Sequence, residues 1–460
     1  MVFSSNIFLF FFLPAVLTVY YLAPRRCRNA VLLLSSLIFY GWGEPRYLLL
    51  MLAVITLNYV SGLMIASRRE GGASAKAALT WAVVLNLGLL AVFKYPGFFC
   101  RSLRLLPGLA RLPVPQIVLP IGISFYIFQS LSYTIDVYRG ETQVQRSLLR
   151  FATYVSMFPQ LIAGPIVRYR DVAQQLADRR ESPGQFADGV SLFVFGLAKK
   201  VLLANQMGAM WEALRTQSGT LSAWAGVFAY TLQIYFDFSG YSDMAIGLGR
   251  MFGFEFRKNF DYPYISLSIT EFWRRWHISL SAWFREYVYI PLGGSRRGAA
   301  RQVLNLMIVW ALTGLWHGAS WNFVLWGLYY ALLLIAEKFF LGALLQKFPA
   351  VLRHVLVLLA VGLGWMLFYF EDMGALAVFL RRLVTPAATG IHARNLILAW
   401  LPLMLIAALC ATPLFARLYE KRKGRRAAEL LRLAVLAALL LLSVASLATQ
   451  SYNPFIYFRF

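Results

Sequence analysis

Apolar runs long enough to cross a lipid bilayer recur along almost the whole chain, and they constrain the fold more than any other feature. About twenty predominantly apolar residues in a helix span the hydrocarbon core. Runs of that length or slightly less fall at 7–23, 29–43, 47–66, 77–95, 116–133, 188–207, 222–240, 303–319, 321–341, 353–370, 395–416 and 430–448. Of the 460 residues, 60% are hydrophobic and 14% charged, whereas soluble domains average roughly 45–50% and about 25%. The sequence therefore predicts an all-α polytopic membrane protein with about 11–13 transmembrane helices, forming a single domain over 1–460.

The basic residues predict how the chain is oriented in the membrane. The formal net charge is +24, and the dense Lys/Arg clusters at 24–28, 67–76 and 417–429 fall on one side when the N-terminus is placed outside. Loops rich in Lys and Arg face the cytoplasm, so both termini are predicted to be extracytoplasmic. The loop 96–115, with three arginines, is the exception. Because the charge lies in short loops and not along an aromatic-studded groove, nucleic-acid binding is not expected.

Two segments do not resemble ordinary spans. Residues 151–167 are apolar but contain Pro159, Gly164 and Pro165, and such broken backbone is tolerated at membrane depth only inside protein or along a cavity. In 270–292, aromatic and leucine residues recur at helical spacing on one side, and the other side holds Arg274, His277, Ser281 and Arg285. This pattern predicts one amphipathic helix at the membrane interface.

His317 interrupts the apolar stretch LTGLWHGASWNFVLWG at 312–327, and the chain has only four histidines. An ionisable residue inside a membrane segment is a functional candidate by default. At helical spacing its neighbours include Thr313 and Ser320, which offer hydroxyls, and the flanking Gly314 and Gly318 predict a helix end. A neutral imidazole that ties two helices together is the structural alternative.

Other polar residues are weaker candidates. His277, on the polar side of the amphipathic segment, is either a second functional imidazole or an interfacial histidine among arginines. Asp243 in the segment 235–261 fits imidazole orientation, substrate positioning or helix packing equally well. The arginines Arg274, Arg275 and Arg285 suit a polyanionic ligand, although the positive-inside rule predicts them without one. Three distant cysteines without a CxxC pattern predict neither a disulfide framework nor a metal site.

Four stretches resemble the membrane-bound O-acyltransferase family, and in particular its alginate O-acetyltransferase branch. They are FPQLIAGPIVRY (158–169), YFDFSGYSDMAIGLGRMFGF (235–254), NFDYPYISLSITEFWRRWHISLSAWFREYVYIPLGGSRRG (259–298) and LTGLWHGASWNFVLWG (312–327). The signature region is roughly 158–327, and the two ends of the chain, MVFSSNIFLFFFLP and NPFIYFRF, fit as well. The resemblance implies a ring of helices around a thinned centre with a central channel.

By the same resemblance, His317 matches the family's catalytic histidine and His277 its second signature histidine. The implied reaction takes an acetyl group from a cytoplasmic donor, acetyl-CoA, across a bacterial plasma membrane to an extracytoplasmic polysaccharide. The implied partners are an SGNH-type acetyltransferase outside the cell and a polysaccharide biosynthesis complex, with 451–460 as a candidate docking tail or membrane anchor. D-alanyl transfer to teichoic acid and peptidoglycan O-acetylation are same-class alternatives. A transporter or flippase is the different-class alternative, and the absence of matching sequence halves counts against it.

Overall fold

The computed structural model describes residues 1–162 and 164–449, together with Ile456. Throughout these residues the regular structure is helical, without strands, as the apolar runs predict. Six described helices are long and apolar enough to cross a membrane, and they fall at Pro45–Glu70, Lys76–Lys94, Trp321–Leu345, Ala350–Tyr369, Ile391–Cys410 and Arg426–Thr449. Phe8–Leu22 is a shorter apolar helix. The chain is thus a multi-pass membrane protein, and the higher span count of the sequence analysis stays a prediction.

The described chain forms two compact units. The first comprises Met1–Phe193 and Ser242–Arg257. Its helices are Phe8–Phe12, Leu13–Leu22, Arg25–Cys27, Arg28–Gly43, Pro45–Tyr47, Leu48–Glu70, Lys76–Lys94, Pro96–Leu103, Ile123–Arg139, Leu148–Ser156, Phe158–Leu161 and Tyr169–Ala177. The apolar run 151–167 is broken as predicted, but the first break lies at Met157: one helix ends at Ser156, and the next, which contains Pro159, covers only Phe158–Leu161.

The second unit comprises Val194–Tyr241 and Lys258–Phe460. Its helices are Lys199–Ala204, Asn205–Leu214, Pro263–Ile265, Ile269–Arg275, Ile278–Phe284, Arg285–Tyr289, Ala299–His317, Trp321–Ala336, Glu337–Leu341, Gly342–Leu345, Ala350–Tyr369, Met373–Val384, Ile391–Cys410, Leu414–Glu420 and Arg426–Thr449. The helices Pro183–Ala198 and Thr220–Met251 contribute residues to both units.

Two boundary predictions need correction. The helix predicted at 116–133 begins only at Ile123, after Gly122 at φ 75°, and it extends to Arg139. The helix predicted at 222–240 covers 32 residues, Thr220–Met251, so that it extends beyond the predicted end and includes Asp243. At the C-terminal end of both helices, buried polar residues continue the helix beyond the point where hydropathy alone ends it.

Inside the first unit, Asn58 and Asn86 link two membrane-spanning helices. Each amide group donates to the other's Oδ1, at 2.9 and 3.0 Å, and the Thr134 hydroxyl donates to Asn58 Oδ1 at 3.0 Å. All three side chains are fully buried. Because an unpaired amide in an apolar interior is costly, this reciprocal pair fixes the contact between the helices.

An interior ion pair links two helices in the second unit. Lys200 Nζ lies 2.6 Å from Asp237 Oδ1, and both side chains are 3% exposed. Lys200 also donates to Asn205 Oδ1 at 2.9 Å, and the backbone N–H of Ile456 donates to Asp237 Oδ2 at 2.8 Å. The predicted docking tail 451–460 otherwise lies outside the described residues. At Ile456, the part of the tail that is described, the backbone is engaged inside the protein's own second unit.

Candidate active site

His317 is the last residue of the helix Ala299–His317, where the flanking glycines predicted a helix end. Gly318 follows in an extended conformation, and the next helix begins at Trp321. A Cβ atom on Gly314 would lie 2.2 Å from the carbonyl oxygen of Phe323, so the two helices are in direct backbone contact. The side chain of His317 is therefore held inside the protein, and the residue is 7% exposed.

Aromatic rings enclose the His317 imidazole on several sides. Its ring centroid lies 4.9 Å from that of Trp316, 5.1 Å from that of Trp326 and 5.3 Å from that of Phe368. All three pairs are edge-to-face, with interplanar angles of 80°, 83° and 80°. Such contacts contribute roughly 0.5–1.5 kcal/mol each beyond area burial, and they fix the orientation of the ring.

His277 does not lie within one amphipathic helix as predicted for 270–292. The helix Ile269–Arg275 ends before it, His277 adopts the left-handed conformation with φ 44° and ψ 55°, and a new helix begins at Ile278. The ring is consequently buried, with 1% of the residue exposed, and not on a solvated face. A non-glycine residue in this conformation costs about 1–2 kcal/mol. Local periodicity did not reveal the break because the interactions that stabilise it come from elsewhere in the chain.

Asn259 provides those interactions. Its Oδ1 accepts hydrogen bonds from the backbone N–H and the hydroxyl of Ser279, at 3.1 and 2.9 Å. It also lies 3.2 Å from His277 Nδ1. The N–H of Ser279 is a donor only, which identifies this atom of Asn259 as the oxygen and makes His277 Nδ1 the protonated nitrogen. The other nitrogen of the ring, Nε2, is then a hydrogen-bond acceptor.

His277 Nε2 is buried and has no hydrogen-bond partner among the described residues. Burial lowers the pKa of His277 to about 3, so the ring is neutral at physiological pH. A neutral imidazole with an unpaired acceptor nitrogen is suited to receive a hydrogen bond from a ligand. An imidazole with so low a pKa is a poor proton acceptor at physiological pH.

Trp316 brings the two histidines together. Its ring lies 5.9 Å from the His277 ring and 4.9 Å from the His317 ring, measured between centroids. The His277 ring also packs edge-to-face on Phe238, with ring centroids 4.7 Å apart. The two histidine segments, 40 positions apart in sequence, thus form one site inside the second unit.

The predicted anion-binding arginines divide into two kinds. Arg275 interacts with acidic groups of the chain, since its Nη2 lies 2.9 Å from a carboxylate oxygen of Glu271 and its Nη1 lies 3.4 Å from one of Asp261. Arg274 and Arg285 are exposed to solvent. Of the three, Arg274 and Arg285 are the more accessible to the phosphates of a ligand, and all three remain predictions as ligand contacts.

The four channel candidates lie in different settings. Thr313 is buried, and its hydroxyl donates to the backbone carbonyl of Val309 at 2.8 Å, within its own helix. Ser320 is half-buried and immediately precedes the helix Trp321–Ala336, whereas Ser281 is exposed. Asp243 is half-buried and belongs to the first unit. The structure therefore places Thr313 and Ser320 beside the His317 helix end and leaves Ser281 on the surface.

Sequence reasoning missed Asn259, Trp316 and Glu337 as parts of the site. Glu337 accepts hydrogen bonds from the backbone N–H groups of Ile269 and Thr270, at 2.7 and 3.1 Å, and so caps the helix that leads to His277. Asn259 and Trp316 both lie in the signature stretches, which was the only available signal. No pattern in the sequence points to Glu337, because its contact spans more than sixty positions.

Comparison with known proteins identifies the family of the chain. The family model described as MBOAT, membrane-bound O-acyltransferase family, matches residues 37–380. The chain is 42% identical to the probable alginate O-acetylase of Azotobacter vinelandii over 499 aligned positions, which cover 100% of both chains. It is 32% identical to the peptidoglycan O-acetyltransferase of Helicobacter pylori, over 84% of this chain and 80% of the relative.

A third relative is more distant. The teichoic acid D-alanyltransferase of Bacillus subtilis is 28% identical over 50% of this chain and 61% of its own length. The matched family region contains both histidine segments, and the similarity to the Azotobacter protein extends from end to end. The chain belongs to the membrane-bound O-acyltransferase family and is a multi-pass membrane O-acyltransferase.

Proposed function

We propose that this protein transfers an acetyl group from a cytoplasmic donor for the O-acetylation of an extracytoplasmic polysaccharide of the alginate type. The proposal takes 1–460 as one domain in a bacterial plasma membrane, with both termini outside. Similarity to probable alginate O-acetylases along the whole chain supports the acetyl group and the class of acceptor. The observation that carries the chemistry is the contact of both His277 and His317 with Trp316 inside one unit.

In this proposal, His317 acts as the general base. It takes the proton from an acceptor hydroxyl, the hydroxyl oxygen bonds to the acetyl carbon, and the carbon–sulfur bond of the thioester breaks. The proton then goes to the leaving thiolate, so that an O-acetyl ester and a free thiol are formed. General base catalysis of this kind contributes typically 10²–10⁴-fold to the rate.

His277 has a different role in the proposed reaction. Its Nε2 accepts a hydrogen bond from the acceptor hydroxyl or from the donor, and this holds the reacting groups in place. The low pKa of the ring favours orientation over proton transfer. The donor is acetyl-CoA, and its phosphates contact Arg274 and Arg285, the two arginines of the predicted set that are exposed.

The proposed partners lie outside the cell. An SGNH-type acetyltransferase accepts the acetyl group and passes it to the sugar, within a polysaccharide biosynthesis complex. Similarity to probable alginate O-acetylases supports a polysaccharide as the final acceptor in this relay. Surrounding membrane lipids contact the exposed apolar helices.

Acetyl transfer by the purified protein in lipid nanodiscs tests the proposal. Radiolabelled acetyl-CoA is the donor, and alginate, peptidoglycan fragments and the SGNH-type partner are supplied as separate acceptors. We expect label in the partner or in alginate and a loss of on the order of 10²–10⁴-fold in kcat for His317→Ala. The control is His392→Ala, because His392 is exposed and lies far from the site in sequence.

Each of the two same-class alternatives has its own outcome in this assay. Label in peptidoglycan alone would move the acceptor to the cell wall, and dependence on a D-alanyl carrier protein would replace the acetyl donor. A His317→Ala variant that is folded and as active as the wild type would overturn the proposed base.

A further inference from the structure

Three aromatic side chains pack against one another beside His317, and we call them the donor cluster: Trp273, Trp326 and Tyr330. The ring centroids are 5.6 Å apart for Trp273 and Trp326, 4.7 Å for Trp273 and Tyr330, and 5.4 Å for Trp326 and Tyr330. Their exposed fractions are 8%, 1% and 0%, respectively. The cluster is therefore part of the protein interior and is not a surface patch.

Each member of the cluster has a polar atom without a partner. Trp273 Nε1, Trp326 Nε1 and the Tyr330 hydroxyl oxygen are buried and form no hydrogen bond with any described residue. Buried indole N–H and phenol O–H groups ordinarily find a partner, and each one left unpaired costs roughly 1–3 kcal/mol. In the same unit, Trp365 Nε1 donates to the Tyr264 hydroxyl at 3.1 Å, whereas Trp211 Nε1 is another buried indole nitrogen without a partner among the described residues. The donor cluster differs from Trp211 because three such groups lie on rings in direct contact, and this grouping indicates a site that binds a ligand.

The position of the cluster relates it to both histidines. The Trp326 ring packs edge-to-face on the His317 ring, with centroids 5.1 Å apart. Trp326 and Tyr330 are four residues apart on the helix Trp321–Ala336, so they share one helix face. Trp273 lies on the helix Ile269–Arg275, which leads directly to His277. Trp326 thus connects the cluster to the His317 ring, and Trp273 connects it through its helix to the segment of His277.

The chemistry of the donors selects the kind of ligand atom. An indole N–H donates and cannot accept, and none of the three groups is charged. The ligand atom that fits these donors is an uncharged oxygen with lone pairs that gains negative charge during the reaction. A thioester carbonyl oxygen has this character, because nucleophilic attack on the carbonyl carbon shifts the carbonyl electron pair onto the oxygen.

We propose that Trp273, Trp326 and Tyr330 bind the carbonyl oxygen of the acyl donor and stabilise the negative charge that develops on it. This inference rests on the proposed function, since it assigns carbonyl-binding residues to the same site. The acceptor oxygen attacks the carbonyl carbon, and the negative charge on the carbonyl oxygen is stabilised by hydrogen bonds from these donors. The carbonyl then re-forms as the carbon–sulfur bond breaks, and the leaving thiolate takes the proton held by His317. Loss of one such donor from an enzyme typically lowers kcat by about 10²–10³-fold.

Substitutions that remove the polar atom and keep an aromatic ring test this assignment. Trp326→Phe, Tyr330→Phe and Trp273→Phe are compared with Trp310→Phe. The Trp310 ring lies 4.6 Å from the Trp273 ring, but its indole nitrogen is not among the buried unpaired atoms. We expect kcat to fall on the order of 10²-fold for each of these three donor-cluster variants with little change in KM. Trp310→Phe, which loses a similar ring area, should stay within a few-fold of the wild type.

A spectroscopic measurement separates carbonyl binding from a packing role. In the His317→Ala background, transfer is blocked, and the infrared band of carbonyl-labelled acetyl-CoA reports hydrogen bonds to the carbonyl oxygen. Adding Trp326→Phe or Tyr330→Phe should shift this band to higher frequency, whereas adding Trp310→Phe should leave it unchanged. An unshifted band, or kcat values equal to that of Trp310→Phe, would overturn the donor assignment and leave the role of His317 intact. If His317→Ala itself keeps full activity, the proposed function fails first.

Discussion

The glycine contact beside His317 allows a quantitative prediction for Gly314→Ala. The added Cβ would lie 2.2 Å from the carbonyl oxygen and 2.9 Å from the carbonyl carbon of Phe323. On the facing helix, a Cβ on Gly327 would lie 2.2 Å from the carbonyl oxygen of Trp310. The obstacle in both cases is backbone, so no side-chain rotation can relieve it. The helices Ala299–His317 and Trp321–Ala336 must separate by roughly 1 Å to restore ordinary contact distances.

The consequences for stability and rate follow from that displacement. Overpacking of a well-packed interior costs typically 1–3 kcal/mol. His317 lies three residues after Gly314 at the end of the same helix, so the shift is transmitted to the imidazole. Because a misplacement of about 1 Å at a reacting group can lower the rate by about 10²-fold, we expect Gly314→Ala to lose activity by that factor.

The assay is acetyl transfer in nanodiscs, together with the thermal midpoint of the purified protein. The matched control is Gly88→Ala, since Gly88 also lies within a membrane-spanning helix and a Cβ there meets nothing within 4 Å. We expect the control to keep its activity and its midpoint. If Gly314→Ala has both the midpoint and the kcat of the wild type, the close helix contact does not position His317, and the reasoning is wrong.

Three further predictions concern buried polar groups. In a double-mutant cycle of unfolding, Asn58→Ala and Asn86→Ala should show a coupling free energy of about 0.6 kcal/mol, and at most about 1.7 kcal/mol. If the two substitutions change the free energy of unfolding additively, the amide pair is not a stabilising contact. Asp237→Asn alone should lower the thermal midpoint more than the double variant Asp237→Asn with Lys200→Met. Loss of one partner leaves the other charge buried and uncompensated, which destabilises a protein by about 3–5 kcal/mol. Equal midpoints for the two variants would contradict this. The lowered pKa of His277 means that below about pH 6.5 the unfolded chain binds a proton that the folded chain does not, so stability falls by at most about 1.4 kcal/mol per pH unit down to about pH 3. A pH titration of the midpoint should therefore be flatter for His277→Asn than for the wild type, and parallel curves would count against a buried neutral ring.

Local sequence patterns predicted much of the fold and the backbone geometry at one of the two site histidines. The helix end at His317 followed from Gly314 and Gly318, because glycine acts on the backbone where it stands. The break at His277 did not follow, because a continuous aromatic period runs through 270–292 and the hydrogen bonds that hold the break come from Asn259. Similarly, the cap from Glu337 depends on the folded chain. Features fixed within one or two helical turns were predictable, and features fixed by distant partners were not.

Both histidines lie where a helix is interrupted. At such a position, the chemical role of the ring can be tested separately from its structural role. At His277 the left-handed backbone costs about 1–2 kcal/mol, yet it turns the ring away from the regular helix face and into the interior. Asparagine tolerates the same backbone conformation. His277→Asn should therefore keep the break and the fold while it loses the Nε2 acceptor. A large loss of kcat at an unchanged thermal midpoint would assign the loss to that nitrogen, whereas a parallel loss of midpoint and activity would show that the ring serves mainly to hold the break in place.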